Sequence, residues 1–163
     1  MSVSVSYNAS VSTTETIDTN IPAVESAKAI ITHDQYNTTA SLTSATTVPV
    51  TKAVYFSQAL TAGAATVDLT ALVGVNNIAV DGTGLKVQVL KFKNPAGNAA
   101  MTLDVGASNG YTLGGAAFQI TLDAGQEMLF YGNEAEADIS STVKTFDLTG
   151  TATEACELSI VMG

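Results

Sequence analysis

Apolar and polar residues alternate along most of this chain, and the alternation is that of strands. Val3, Val5 and Tyr7 are interleaved with Ser2, Ser4 and Ser6, a period of two that predicts a strand at the start. Val50 to Leu60 is rich in β-formers, with Val54, Tyr55 and Phe56 at its centre. Val67 and Leu69 fall in register within Ala64 to Leu72, and a turn of helix is expected over Thr70–Val73. From Leu85 to Lys93 the phase changes: Leu85, Val87 and Val89 share one parity, Leu90 and Phe92 the other. Either both faces of this strand are covered or a bulge shifts the phase near Val89–Leu90.

Further strands are predicted at Met101–Val105, Phe118–Leu122, Glu127–Tyr131, Lys144–Leu148 and Cys156–Met162. Turn signals separate them: Asn94-Pro95-Ala96-Gly97-Asn98, the loop Gly106 to Gly115, Asp123-Ala124-Gly125, and Gly150 to Thr153. Val24 to Thr32 reads as a short helix or a strand, and Pro22 and Pro49 mark breaks or edges. From Lys52 onward there are about seven or eight strands at roughly 8–12-residue spacing, which predicts an all-β fold, an antiparallel β-sandwich. Eight strands suit a jelly-roll-like arrangement; fewer suit an immunoglobulin-like one. No convincing amphipathic helix intervenes to make a parallel sheet.

Composition divides the chain near residue 50. Residues 1–50 hold no glycine and only one cation, Lys28, whereas all 13 glycines lie from Gly63 onward. Residues 1–50 are therefore expected to be an extended N-terminal arm or outer strands, and residues 51–163 the β-sandwich domain. A segment of this kind would pair into its own sheet or lie on a neighbour.

Charge narrows the range of partners. The net charge is −9 and charged residues are only 13% of the chain, about half the usual globular level. The six cations are all lysines, and only Lys86, Lys91 and Lys93 cluster. This composition argues against phosphate neutralisation on nucleic acid and against docking on an anionic membrane surface. A neutral Ser/Thr/Asn-rich surface loses little solvation when another protein covers it. Lys86, Lys91 and Lys93 are a candidate positive stripe for an acidic partner, or else guards of a sheet edge. No apolar run approaches the ~20 residues that span a bilayer as a helix. Met1 is followed by no basic or apolar leader pattern, so synthesis in a host cytoplasm is expected.

Candidate chemistry is sparse. His33 is the single histidine and Cys156 the single cysteine; there is no tryptophan. A Ser-His-Asp arrangement would have to use His33, which lies in Thr32-His33-Asp34-Gln35 with no nucleophile motif beside it. It reads as a surface or packing residue. Cys156 sits in an apolar alternation and reads as a buried, inert thiol. Two such residues fall short of a zinc site. Glu134, Glu136 and Asp138 are spaced to gather oxygens around calcium, but the loop lacks the alternating-Asp pattern of a calcium loop and reads as a solvated acidic loop. As an acid–base pair for glycan hydrolysis, Glu134 and Glu136 lack an aromatic platform, although Tyr111 and Tyr131 are candidates for stacking on a sugar. Asp81-Gly82-Thr83-Gly84 precedes a strand and lacks Lys-Ser/Thr, so it reads as a turn, not a phosphate loop. No catalytic residue, metal or cofactor is expected.

The stretch from Leu85 to the end resembles small β-rich proteins of tailed-phage virions. The resemblance is carried by Leu85-Lys86-Val87-Gln88-Val89-Leu90-Lys91-Phe92-Lys93-Asn94 and by Gly106-Ala107-Ser108-Asn109-Gly110-Tyr111. It continues in Phe118-Gln119-Ile120-Thr121-Leu122-Asp123-Ala124-Gly125 and in Lys144-Thr145-Phe146-Asp147-Leu148-Thr149-Gly150, about half the chain in all. The style is similar to capsid decoration, or cement, proteins and other virion accessory proteins. That resemblance implies a non-enzymatic module on the outer capsid of a virion. It would be a trimer or another homo-oligomer, with the trimer favoured, bridging subunits of the major capsid protein. The expected partner-binding residues are Val3, Val5 and Tyr7 of the arm, with Lys86, Lys91 and Lys93. The alternative expectation is a tail, baseplate or head-fibre module that binds a host surface glycan.

Overall fold

The computed structural model describes residues 3–10, 13–18, 28–33, 38–74, 77–108, 110–132 and 136–163. These residues are all-β. Contacts divide the chain into one unit of residues 1–5 with 42–163 and a second unit of residues 6–41.

The early part of the chain holds four strands: β1 (Ser4–Ala9), β2 (Thr13–Asp18), β3 (Lys28–His33) and β4 (Thr38–Thr43). β1 pairs with β4, and β2 pairs antiparallel with β3 from Thr13 opposite His33 to Asp18 opposite Lys28. The alternation read at the start of the chain is present in β1, where Tyr7 is buried and Ser4 and Ser6 are exposed. The segment that left helix and strand open resolves as strand over Lys28–His33, with residues 24–27 outside the described set.

The larger unit is built on eight strands: β5 (Lys52–Ala59), β6 (Ala64–Asp68), β9 (Val87–Lys93), β10 (Met101–Val105), β11 (Phe118–Leu122), β12 (Glu127–Tyr131), β13 (Thr145–Thr149) and β14 (Ala155–Met162). A short hairpin, β7 (Leu72–Val73) with β8 (Ala79–Val80), lies between β6 and β9 in sequence. The strands form two four-stranded antiparallel sheets, ordered β12-β9-β14-β5 and β11-β10-β13-β6. Alternate residues of both sheets enter one core. Val54, Phe92, Leu158 and Ile160 come from the first; Val67, Leu103, Phe146 and Leu148 come from the second. Burial of this apolar surface is the main driving force that joins the sheets.

Local departures from alternation have structural causes. The register between β14 and β9 slips so that Val161 faces Val89 while Met162 faces Val87. Gln88 is therefore the extra residue of a bulge, and Val87 joins Leu90 and Phe92 in the core. The bulge sits at Gln88, one residue before the Val89–Leu90 step at which the pattern changes parity. The turn of helix expected at Thr70–Val73 is instead a turn followed by β7. Asp68 Oδ1 accepts from the Thr70 N–H at 2.9 Å and the Thr70 hydroxyl at 2.6 Å, which reverses the chain before a helix can propagate.

The turn after β9 is tied down by a buried asparagine. Asn94 Nδ2 donates to the carbonyls of Ala99 at 2.8 Å and Leu122 at 2.9 Å, and Asn94 Oδ1 accepts from Asn98 at 2.9 Å. Asn98 in turn donates to Ala155 O at 2.8 Å. Asp81-Gly82-Thr83-Gly84 is a turn: Asp81 Oδ1 accepts from the Thr83 N–H at 2.8 Å, and Leu85 N–H reaches Gly82 O at 2.9 Å. A Cβ at Gly82 would stand 2.7 Å from Leu69 O, so the close approach itself requires glycine there.

Candidate functional site

The two outward sheet faces differ in chemistry, and the difference follows from residues of one parity on each strand. On the β12-β9-β14-β5 sheet the register lines up Ala53, Val161, Val89 and Tyr131 in one row. Tyr55, Ser159, Lys91 and Leu129 form the next, and Ser57, Glu157, Lys93 and Glu127 the third. Val89 and Val161 of the first row are buried, so the exposed large apolar groups of this face are Tyr55, Leu129 and Tyr131, set beside the ion pairs. Tyr55 is 54% exposed, and Leu129 and Tyr131 are each 38% exposed.

The charges on this face neutralise one another. Lys91 Nζ lies 2.9 Å from Glu127 Oε2, and Lys93 Nζ lies 3.0 Å from Glu157 Oε2. The bond to Glu157 raises the Lys93 ammonium above its ordinary value, with help from the same carboxylate's charge. Surface pairs of this kind add little stability, but they remove net charge from the face. Tyr55, Lys91, Lys93, Glu157 and Ser159 line a shallow depression of about 170 Å³.

The opposite outward face is made of hydroxyls and acids. Thr121, Thr102, Thr149 and Ala64 form one row, and Gln119, Asp104, Asp147 and Thr66 the next. Thr102 and Thr121 share a hydrogen bond of 2.8 Å, Gln119 donates to Asp104 at 2.7 Å, and Thr66 donates to Asp147 at 2.6 Å. At its edge Lys144 lies 2.6 Å from Asp68. Burial pushes the Asp68 carboxyl up, but the bonds from Lys144 and Thr70 outweigh it and hold the group below its ordinary value.

The structure places the residues expected to bind a partner in different settings. Lys91 and Lys93 are neighbours on the first face, on an interior strand flanked by β12 and β14, so they guard no edge. Both are ion-paired, which removes the reading of a bare positive stripe. Lys86 precedes β9, where its main chain exchanges hydrogen bonds with Gly163 at 3.0 and 3.1 Å. Val3, Val5 and Tyr7 belong to the β1 segment; Tyr7 is buried and Val3 and Val5 are partly so.

Other candidates take structural roles. Tyr111 is fully buried, its ring edge-on to Phe146 at 5.8 Å, so it offers no platform for a sugar. Its hydroxyl donates to Ala137 O at 2.6 Å and accepts from the Val87 N–H at 3.1 Å. Burial pushes that hydroxyl up to about 12. Glu136 is buried rather than solvated, and both carboxylate oxygens accept from the Gly114 N–H, at 3.1 and 3.0 Å. It braces the loop between β10 and β11. Glu134 lies outside the described residues, whereas Glu136 and Asp138 of the same candidate calcium set are described. Among the described residues no group of three or more His, Cys, Asp or Glu is placed to hold a metal ion. His33 ends β3 opposite Thr13. Cys156 is buried, and burial raises its thiol to about 11.

Neither family models, curated proteins nor solved structures give a match to this chain. The site is therefore read from its chemistry alone. An extended face with exposed aromatic and aliphatic groups and internally neutral charges is suited to broad contact with another surface. The central signal missed in the sequence is the row order: Tyr55 and Leu129 are far apart in the chain, and only the register through Ser159 and Lys91 brings them together.

Proposed function

We propose that this chain is a structural protein of a virus particle, a capsid decoration protein that lies on the outer capsid and bridges neighbouring subunits of the major capsid protein. The observation that carries the reading is the face built by Tyr55, Leu129 and Tyr131 around the Lys91–Glu127 and Lys93–Glu157 pairs. Its apolar groups gain from being covered, and each of these four charges already has a partner, so covering leaves none of them unpaired. The Thr/Asp face remains toward water and keeps the −9 chain soluble before assembly.

The strand order supports a jelly roll for the finer fold. Numbered one to eight from β5, omitting the short hairpin, the sheets run six-three-eight-one and five-four-seven-two. First pairs with last, second with seventh, third with sixth and fourth with fifth, the nesting that wraps a long hairpin into two sheets. Jelly rolls recur in viral shells and lectins, an analogy of fold and not of site. A homotrimer sets three copies of the face against a shell, and the repetition adds avidity without new contacts. Residues 1–50, with β1 to β4, are assigned to contact with the neighbouring subunit.

The test uses mature shells of the source virus stripped of this protein. The chain should co-sediment with them. A triple variant, Tyr55→Ser, Leu129→Ser and Tyr131→Ser, should fold, as judged by its unfolding midpoint, and remain in the supernatant. Undiminished binding by that variant rejects the face.

A second reading rests on the 170 Å³ depression beside Tyr55. An aromatic ring next to a hydroxyl, a carboxylate and two ammonium groups suits one sugar residue, as expected of a host-binding head-fibre or tail module. Binding of the chain to immobilised host glycans, lost in Tyr55→Ala and without affinity for shells, selects this reading over the first.

A further inference from the structure

We propose that the groove along the open edge of β5 is a slot that receives an extended, non-acidic segment of a partner protein as an added strand. The groove has a volume of about 460 Å³ and is lined by residues of β5 (Tyr55 to Gln58), β6 (Thr66 to Asp68) and β7 with Gly74. Both β5 and β6 end their sheets, and β7 is paired only with β8 among the described residues.

Hydrogen-bond phase determines which main-chain groups turn into this groove. Leu60 N–H bonds to Glu154 O at 2.8 Å, and the β5–β14 register then pairs the even-numbered residues of β5 with β14. The amide and carbonyl groups of Tyr55 and Ser57 therefore point to the open side. Leu69 N–H bonds to Lys144 O at 2.8 Å, which by the same alternation turns the main chain of Thr66 outward from β13. Gly74 N–H bonds to Ile78 O at 2.9 Å, so Val73 turns its main chain away from β8. Donors and acceptors of three strands converge on one groove, and what satisfies them in a row is another extended backbone.

The side chains and charges select the occupant. Phe56 is partly buried at the groove, the core residues Val67 and Leu72 lie beneath it, and Val73, 51% exposed, forms an outer lip. Between Lys52 and Asp68 the chain carries no charge, so the stretch of β5 that lines the groove, Tyr55 to Gln58, has no charged guard; Lys52 stands at the far start of the strand. Asp68 is the acid at the rim and is held by Lys144. A second copy brings a further charge of −9, and that repulsion disfavours self-pairing; a neutral or basic segment from another protein meets no such penalty. The slot does not depend on the shell-binding reading: Tyr55 borders both, but the slot uses its main chain at the sheet edge and neither Leu129 nor Tyr131.

The test follows amide hydrogen exchange of the full chain by nuclear magnetic resonance, with a capped seven-residue peptide alternating valine with lysine or threonine. The peptide should slow exchange at the Tyr55 and Ser57 amides, and a glutamate version should not. Ser57→Pro removes one outward N–H at an edge, where proline is tolerated, and should weaken the peptide about tenfold. Val73→Lys, a surface change that spares β5, should also weaken it. Leu129→Ser should leave peptide protection intact, which separates failure of the slot from failure of the outward face. Slow exchange at Tyr55 and Ser57 in the dilute isolated chain, or protection that rises with protein concentration alone, overturns the proposal. So does the absence of any effect at millimolar peptide.

Discussion

Asp104 and Asp147 stand directly opposite each other on the two central strands of the hydroxyl-rich sheet. Like charges in directly opposed positions oppose sheet pairing, and here each carboxylate is held on its far side, by Gln119 and Thr66 respectively. Asp147→Asn keeps an oxygen for Thr66 and removes one of the two charges. It should raise stability by about 0.2–1 kcal/mol at neutral pH in chemical denaturation. The gain should shrink in high salt. A loss of stability would show that the pair is not repulsive.

The Tyr111 hydroxyl links two backbone segments that its ring also packs against. Tyr111→Phe leaves the Val87 N–H and the Ala137 carbonyl without this partner inside the protein. The expected cost is about 1–3 kcal/mol, with the ring contact to Phe146 retained. A midpoint indistinguishable from the parent chain would mean that water replaces the hydroxyl without loss.

Asp68 sets part of the acid limb of stability. Its folded value lies below its ordinary 3.8, so the folded state binds the proton less readily than the unfolded chain. The corresponding stability is present above about pH 4 and is lost as pH falls through the folded value. Asp68→Asn should lower stability above about pH 4 and flatten this limb, so that variant and parent converge as the pH falls through the folded value. An unchanged acid limb would contradict the assignment.

Cys156 should be chemically silent in the native state. Its thiol is buried and raised to about 11, so little thiolate exists at pH 8. A thiol reagent at that pH should label it at the rate of unfolding, and promptly in denaturant. Fast labelling of the folded chain would place the thiol at an opening in the core.

Much of the strand content was legible because a period of two is a local property. Met101, Leu103 and Val105 declare an inward face without reference to any partner, and Asn94-Pro95 and Asp123-Ala124-Gly125 mark turns by their own chemistry. Partnering is not local. Nothing around Lys91 or Lys93 indicates that β9 is an interior strand, or that Glu127 and Glu157 neutralise them. Tyr111 was misjudged because a glycine-rich loop carries no alternation to reveal a buried ring. Glu136 was misjudged because the amide it accepts from belongs to Gly114, on a different loop. The hairpin β7–β8 has two-residue strands, too short for any period to register.

Nesting of the strands also orders events at the ribosome. β14 joins β5 on one side and β9 on the other, yet it emerges after every strand it must meet. Until Ala155–Met162 is synthesised, the sheet has an empty column, and the apolar flanks of Val54 and Leu90 lack their partner Ile160. Such long-range closure folds slowly and leaves growing chains open to misassociation. Emergence of Ala155–Met162, more than formation of any local hairpin, becomes the committing step of folding.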